Sequence, residues 1–167
     1  FLIRYVQPGE STPWQAVYAL ERIGSHPETL RNLEFIRLLS RHQNPLIRMN
    51  VASVLGKLHD TGGSSNVIQQ MADHDGDWRV RVNALKALGK FVWKGNDDVV
   101  LTFKRAFFDA NQHISMTALS VFPQIGVDQT DTTDAARETL GQMSYIAENS
   151  TGGFSWQIQA EAAAGLA

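Results

Sequence analysis

A twelve-residue phrase recurs along this chain, and recurrence at a near-constant step limits the fold more than any single residue does. The clearest copy runs from Trp78 to Gly89, with an earlier one from Leu46 to Gly56 and a later one from Gln112 to Phe122. A weaker copy opens at Trp14 and ends at Gly24, and the chain stops inside a further copy, Trp156 to Ala167. Taking Ala84 as the reference position, its equivalents are Ala19, Val51, Ala118 and Ala162, at steps of 32, 33, 34 and 44 residues. A unit of that size holds two helices of three to four turns and two turns, given ordinary helix and loop lengths. Such units stack as helical hairpins, because none can bury its apolar face alone.

The spacing inside the phrase gives the helix and its buried face. Val80, Ala84, Leu85 and Leu88 fall on one side of a 3.6-residue period. Small residues at Ala84 and Ala87 admit a neighbouring helix, and Leu85 and Leu88 fill the gap between layers. Gly24, Gly56 and Gly89 stand near the ends of these helices, while Pro123 takes that place in the fourth copy and should kink or end its helix. The second helix of each unit is predicted over 27–41, 64–72, 97–109 and 132–148. Asp97-Asp98 places acids at a positive helix end, and Asp131–Asp134 offers several side-chain caps. Ser11-Thr12-Pro13 reads as a cap followed by a first-turn proline. Breaks are expected at 61–64, 94–96 and 149–153. No stretch alternates like a strand between hairpin turns. The fold class is therefore all-α.

The totals exclude several functions. With 43% apolar and 19% charged residues the 167-residue chain is globular, and its net charge of -2 exerts no general pull on polyanions. The absence of cysteine removes disulfides, thiolate catalysis and thiolate-bound metals. No apolar run is long enough to span a bilayer, so membrane insertion is not expected. The opening Phe1–Val6 has no basic leader and reads as the end of a helix that began earlier, and the last copy lacks a second helix. The expectation is one domain over 1–167, about 4.5 repeats, excerpted from a longer protein. The expected compartment is aqueous, cytoplasmic or periplasmic.

Candidate chemistry is sparse. Asp73-His74-Asp75-Gly76-Asp77 opens like a calcium loop, but Trp78 stands where that loop needs glycine and Ala84 where it needs a bidentate acid. The simpler reading is a turn that ends on Asp77 as a helix cap. His26, His42, His59, His74 and His113 show no paired metal-ligand spacing. No nucleophile elbow, phosphate loop or dinucleotide fingerprint is present, so no catalytic residue, metal site or cofactor is assigned. Arg79, Arg81, Lys86, Lys90, Lys94, Lys104 and Arg105 form a basic run, but the nearby acids Asp97, Asp98 and Asp109 dilute its field. Trp14, Trp78 and Trp156 each open a first helix, where a ring packed on the preceding turn would staple it. Phe103, Phe107 and Phe108 have helical spacing and are expected mostly in the core.

The phrase from Asp77 through Val80-Arg81, Ala84, Ala87-Leu88 and Gly89 resembles the first-helix signature of HEAT repeats, and Asn44 through Arg48 to Gly56 matches it with Asn for the acid. The resemblance implies a right-handed α-solenoid, or α-α superhelix, of armadillo-like type. It implies that Asp77 caps its helix and that Arg48 and Arg81 tie adjacent units. Gln15, Ser115 and Gln159 lie at or beside the Arg position, so polar ties should weaken toward both ends. The subtype resembles short bacterial HEAT-like repeats, which also occur beside cyclophilin-type prolyl isomerase domains and in bilin lyases.

In such an architecture the first helices line the convex side and the second helices the concave one. The expected binding surface is then Arg31, Glu34, Arg37 and Arg41; Asn66, Gln69 and Gln70; Asp98, Thr102 and Arg105; and Arg137, Glu138 and Gln142. Its mixed charges suit a protein or peptide. The expected function is a non-catalytic scaffold with such a partner. The alternatives are an accessory segment of a larger bacterial enzyme, of isomerase or lyase type, and a nucleic-acid binder, which the charge balance disfavours.

Overall fold

The structure is a computed structural model that describes residues 6, 12–59, 63–91, 97–125, 134–149 and 155–166. Among these residues there are helices and turns and no strand. The chain divides into two compact units, residues 1–90 and 91–167. The first holds α1 (Trp14–Ile23), α2 (Pro27–Arg31), α3 (Leu33–Leu38), a 3₁₀ turn over Leu39–Arg41, α4 (Pro45–Leu58), α5 (Ser64–His74) and α6 (Trp78–Leu88). The second holds α7 (Asp97–Phe107), α8 (Gln112–Val121), a 3₁₀ turn over Phe122–Ile125, α9 (Asp134–Asn149) and α10 (Ser155–Leu166).

In the first unit α1, α4 and α6 stand side by side as one layer, and α3 and α5 pack behind them. Helix α4 touches both neighbours in its layer as well as α3 and α5. It therefore buries residues all round: Ile47, Val51, Ala52, Val54, Leu55, Gly56 and Leu58. A helix surrounded in this way loses the single apolar stripe of a surface helix. The outer helices keep one face in water; α5 buries Ile68, Met71 and Ala72 and turns Asn66 and Gln70 outward. The second unit repeats the arrangement, with α8 beside α10, α7 beside α9, and each layer packed on the other. Its centre is aromatic. Phe122 meets Phe103 at 5.7 Å and Phe107 edge-on at 5.5 Å, separations at which tilted rings attract. Phe108 lies outside this cluster, 58% exposed.

Several local expectations need correction. The helix predicted over 27–41 is broken at Asn32, whose backbone leaves the helical region at φ -105° and ψ 20°. Its side-chain amide donates to Glu28 O at 2.8 Å, so a local side-chain bond competes with the backbone ladder. Pro13 is itself the cap of α1, in extended backbone and with no side-chain capping bond, rather than a first-turn residue. The stapling rings are only partly covered, since Trp14 and Trp78 remain 40% exposed and Trp156 68%. Pro123 ends α8, which passes into the 3₁₀ turn. The turns at 94–96 and 150–153, the caps at 131–133 and the opening residues 1–5 lie outside the described residues.

The glycines of the phrase do different work. Gly24 closes α1 at φ 70°, where a side chain would strain the backbone. Gly56 lies inside α4, and a Cβ there would stand 2.6 Å from Ala87 Cβ and 2.9 Å from Ala87 Cα. Its missing side chain sets how closely α4 approaches α6. Gly56→Ala should lower the urea midpoint by the equivalent of about 1–3 kcal/mol, the range for overpacking. That is the reverse of the helix-propensity gain. Gly141→Ala, in α9 with nothing within 4 Å of an added Cβ, should raise it by up to about 1 kcal/mol. A stabilising Gly56→Ala would mean that the two helices can separate without loss.

Candidate functional site

The first helices begin with a polar device that recurs three times. Asn44, Asp77 and Asn111 each cap a first helix, their side-chain oxygens accepting from the N–H groups of Leu46 (2.9 Å), Arg79 (2.9 Å) and His113 (3.0 Å). Two residues earlier a second side chain accepts from the capping residue's own N–H. His42 Nδ1 takes Asn44 N–H at 3.0 Å, Asp75 takes Asp77 N–H at 2.9 Å, and Asp109 takes Asn111 N–H at 2.8 Å. Paired side-chain turns of this kind fix the direction in which each helix leaves its loop. The sequence reading found Asp77 and the Asn44 match but missed Asn111, Asp75, Asp109 and His42. Asn111 was detectable, because it precedes Ala118 by the same interval as Asp77 precedes Ala84.

The tie between hairpins runs through Asp75. Arg48 grips that carboxylate with Nε at 2.7 Å and Nη2 at 2.8 Å, and Nη1 donates to His42 O at 2.7 Å and Gln43 O at 2.9 Å. One guanidinium thus joins the turn before α4 to the turn before α6. A planar five-donor fork suits this geometry, which an ammonium would not fill. The hydrogen bond to Asp75 holds the Arg48 pKa above its usual value. Arg81 Nε donates to Ala72 O at 2.9 Å, tying α6 to the last turns of α5. Lys57 Nζ donates to Glu21 O at 2.8 Å, placing a cation at the C-terminal end of α1. Asp77 turns to Arg79 instead of to a neighbouring hairpin. Hydrogen bonds from Arg79, first its side chain and then its backbone N–H, hold the Asp77 carboxyl down at about 2.

The expected binding residues have different fates. Thr102 is not on the surface: it is 1% exposed, its hydroxyl donates to Asp98 O at 3.2 Å, and Arg105 Nη2 donates to that hydroxyl at 3.2 Å. An internal contact between successive turns of α7 has absorbed it. Asp98 and Arg105 are exposed on the same helix. Arg37 is half-buried, pairs with Glu34 and donates through Nε to Ser64 Oγ at 3.1 Å. Arg31 and Asn66 are exposed and Gln69 is half-buried. Arg137 pairs with Asp134 at 2.9 Å, and Glu138 takes Lys104 Nζ at 2.6 Å, joining α9 to α7. Gln142 is half-buried, with its Oε1 covered and without a hydrogen-bond partner among the described residues.

Arg41 and Gln70 are brought together. They line an open groove of about 310 Å³ with Ser40, Val67, Met71, His74 and Asp75. The 3₁₀ turn after α3 forms one wall and α5 the other. On α5, Val67 and Met71 stand one turn apart, as do Gln70 and His74, so two adjacent rows face the groove. No hydrogen bond or ion pair among the described residues engages Arg41, Gln70 or His74, whereas Asp75 is held by Arg48 at the far edge. Among the described residues no cluster of three histidines or carboxylates could hold a metal, and no helix is long and apolar enough to cross a membrane.

With that geometry in place, the family comparison falls on the same elements. Residues 66–92 match the family model of the HEAT repeat. The chain carries a HEAT repeat. The match spans most of α5, the Asp75–Asp77 turn and all of α6, so the repeat contains both the groove wall and the Arg48 anchor point. Within the match, α5 and α6 pack together as the paired helices of that repeat. Among solved structures, the chain is similar to a designed armadillo repeat protein, at 12% identity over 99% of this chain and 97% of that one, with a TM-score of 0.41. No curated protein matches it.

The depressed Asp77 carboxyl has a consequence for acid stability. A group with a lowered folded-state pKa contributes stability above its ordinary value, and that contribution is lost as pH falls through the folded value. Asp77 should therefore weaken the fold as pH drops from about 3.8 toward about 2. Asp77→Ala should cost about 1 kcal/mol near neutral pH, the usual price of a lost cap. It should also flatten the stability profile in that acid window. Urea titrations at stepped pH measure both effects, and an unchanged acid limb would remove Asp77 from the account.

Proposed function

We propose that this chain is a non-catalytic binding module that holds a peptide segment of a partner protein on the second-helix face of its first unit. The observation that carries the reading is the groove between the 3₁₀ turn and α5. It joins apolar side chains, Val67 and Met71, to polar ones at Arg41, Gln70 and His74 that no hydrogen bond or ion pair among the described residues engages. Structural side chains in this protein are bonded: Arg37, Arg48, Arg79 and Arg81 all have protein acceptors. Unspent donors at the lip of an apolar hollow are what a ligand surface requires.

The rest of the expected surface supports this reading in part. Arg31 on α2 and Asn66 on α5 are exposed polar side chains of the same unit, while Arg37 donates to Ser64 at the start of α5. In the second unit Asp98, Arg105, Arg137 and Glu138 offer a separate exposed strip on α7 and α9. Nothing in the sequence or the described residues assembles a nucleophile, base and oxyanion donor at one place.

Peptides selected by display against the whole chain test the proposal. Those that bind should lose at least about tenfold in affinity to the Arg41→Ala/Gln70→Ala variant, as expected when charge-assisted and amide hydrogen bonds are removed together. The urea midpoint should stay unchanged, because neither side chain supports the fold. Selected peptides that bind the variant as tightly as the parent would place the binding surface elsewhere.

A further inference from the structure

We infer that the groove selects an acidic peptide side chain standing next to an aliphatic one. This rests on the peptide-binding reading above and specifies its ligand. Arg41 contributes a permanent positive charge at the lip, exposed and without a protein partner among the described residues. The one carboxylate lining the groove is Asp75, and both its oxygens are taken by Arg48 while one also accepts the Asp77 N–H. An incoming anion therefore meets a neutralised pair and not a bare negative charge. His74 and Gln70 face the same space with ring and amide donors. A guanidinium with an imidazole and an amide beside it favours a planar carboxylate, which it can bind with two parallel hydrogen bonds.

The floor sets the second half of the motif. Val67 is half-buried and Met71 is 5% exposed, so the base of the groove is apolar and already packed against the helices beneath it. A thioether and a branched methyl pair accept an aliphatic side chain of varied shape. A volume of about 310 Å³ admits a pair of side chains and not a folded surface. A polynucleotide is a poorer fit. The groove has one arginine without a partner among the described residues, no tryptophan, tyrosine or phenylalanine in its lining to serve as a stacking platform, and a chain of net charge -2 around it.

Amide chemical-shift titration of the whole chain, with acetyl-leucyl-glutamyl amide as probe, gives the test. The amides of Val67, Gln70, Met71 and His74 should move together at about millimolar probe, the affinity range of so small a contact. Replacing the glutamyl group by glutaminyl, or the leucyl group by glycyl, should each weaken binding about fivefold to tenfold. In Arg41→Gln the glutamyl and glutaminyl probes should become equivalent. If the parent chain binds those two probes equally at the same amides, charge selection is wrong although the groove still takes peptides. If no peptide probe moves these amides, the underlying binding reading fails as well. A thymidine hexanucleotide that moves them more readily than the glutamyl probe would replace the peptide by a polyanion. The two probe comparisons on the parent chain decide the matter even if the variant does not fold.

Discussion

The first unit depends on the burial of α4. That helix packs against α1 on one side, α6 on the other and α3 and α5 behind, so its apolar residues on every side are removed from water by a different neighbour. Burial at about 25 cal/mol per Å² is the largest favourable contribution available to a chain without disulfides. It is realised here only if the hairpins stand in register. Register is enforced where α4 meets α6 at Gly56 against Ala87, since a glycine there puts no side chain between the two helices to act as a spacer. The site inherits its geometry from this packing: α5 lies on α4 and α6, and the groove wall cannot shift without disturbing the centre of the unit.

Polar chemistry contributes direction more than cohesion. Capping side chains at Asn44, Asp77 and Asn111, each preceded by a second acceptor two residues earlier, aim three first helices out of their turns. Arg48 then locks two of those turns to each other through Asp75. The partly buried pair is costly to desolvate, and its worth lies in leaving no carboxylate oxygen or guanidinium edge unanswered. The same contact has an electrostatic effect beyond stability. By consuming Asp75 it leaves Arg41 as the charge that a ligand in the groove would feel.

Much of this was legible from the pattern of residues. The first helices begin and end within a residue or two of the repeated phrase, because a 3.6-residue apolar period and its flanking caps are local properties. Phe103 and Phe107 fell in the core for the same reason. Failures occurred where a side chain chose between partners. Asn32 used its amide on a backbone carbonyl and divided a helix that periodicity alone would continue. Thr102 had a polar identity suited to the surface, yet its hydroxyl is satisfied inside α7 and its position is buried. Helical spacing places a residue on a face, but the face is assigned to solvent or core by whatever packs against it.

The sequence by itself determined that the chain is helical, where its repeats lie, that Asp77 caps its helix and that thiolate chemistry is absent. Those are consequences of composition and of interactions spanning a few residues. Only the tertiary structure decided that Arg48 answers Asp75, 27 residues away, in preference to the neighbouring cap at Asp77. It alone decided that Arg37 is spent on Glu34 and Ser64 while Arg41, four residues later, stands beside Gln70 and His74 with no partner among the described residues. The physical reason is the same in each case. A charged or polar side chain has no preferred partner until packing brings a donor or acceptor within about 3 Å of it, and that packing depends on the neighbouring helices of its unit.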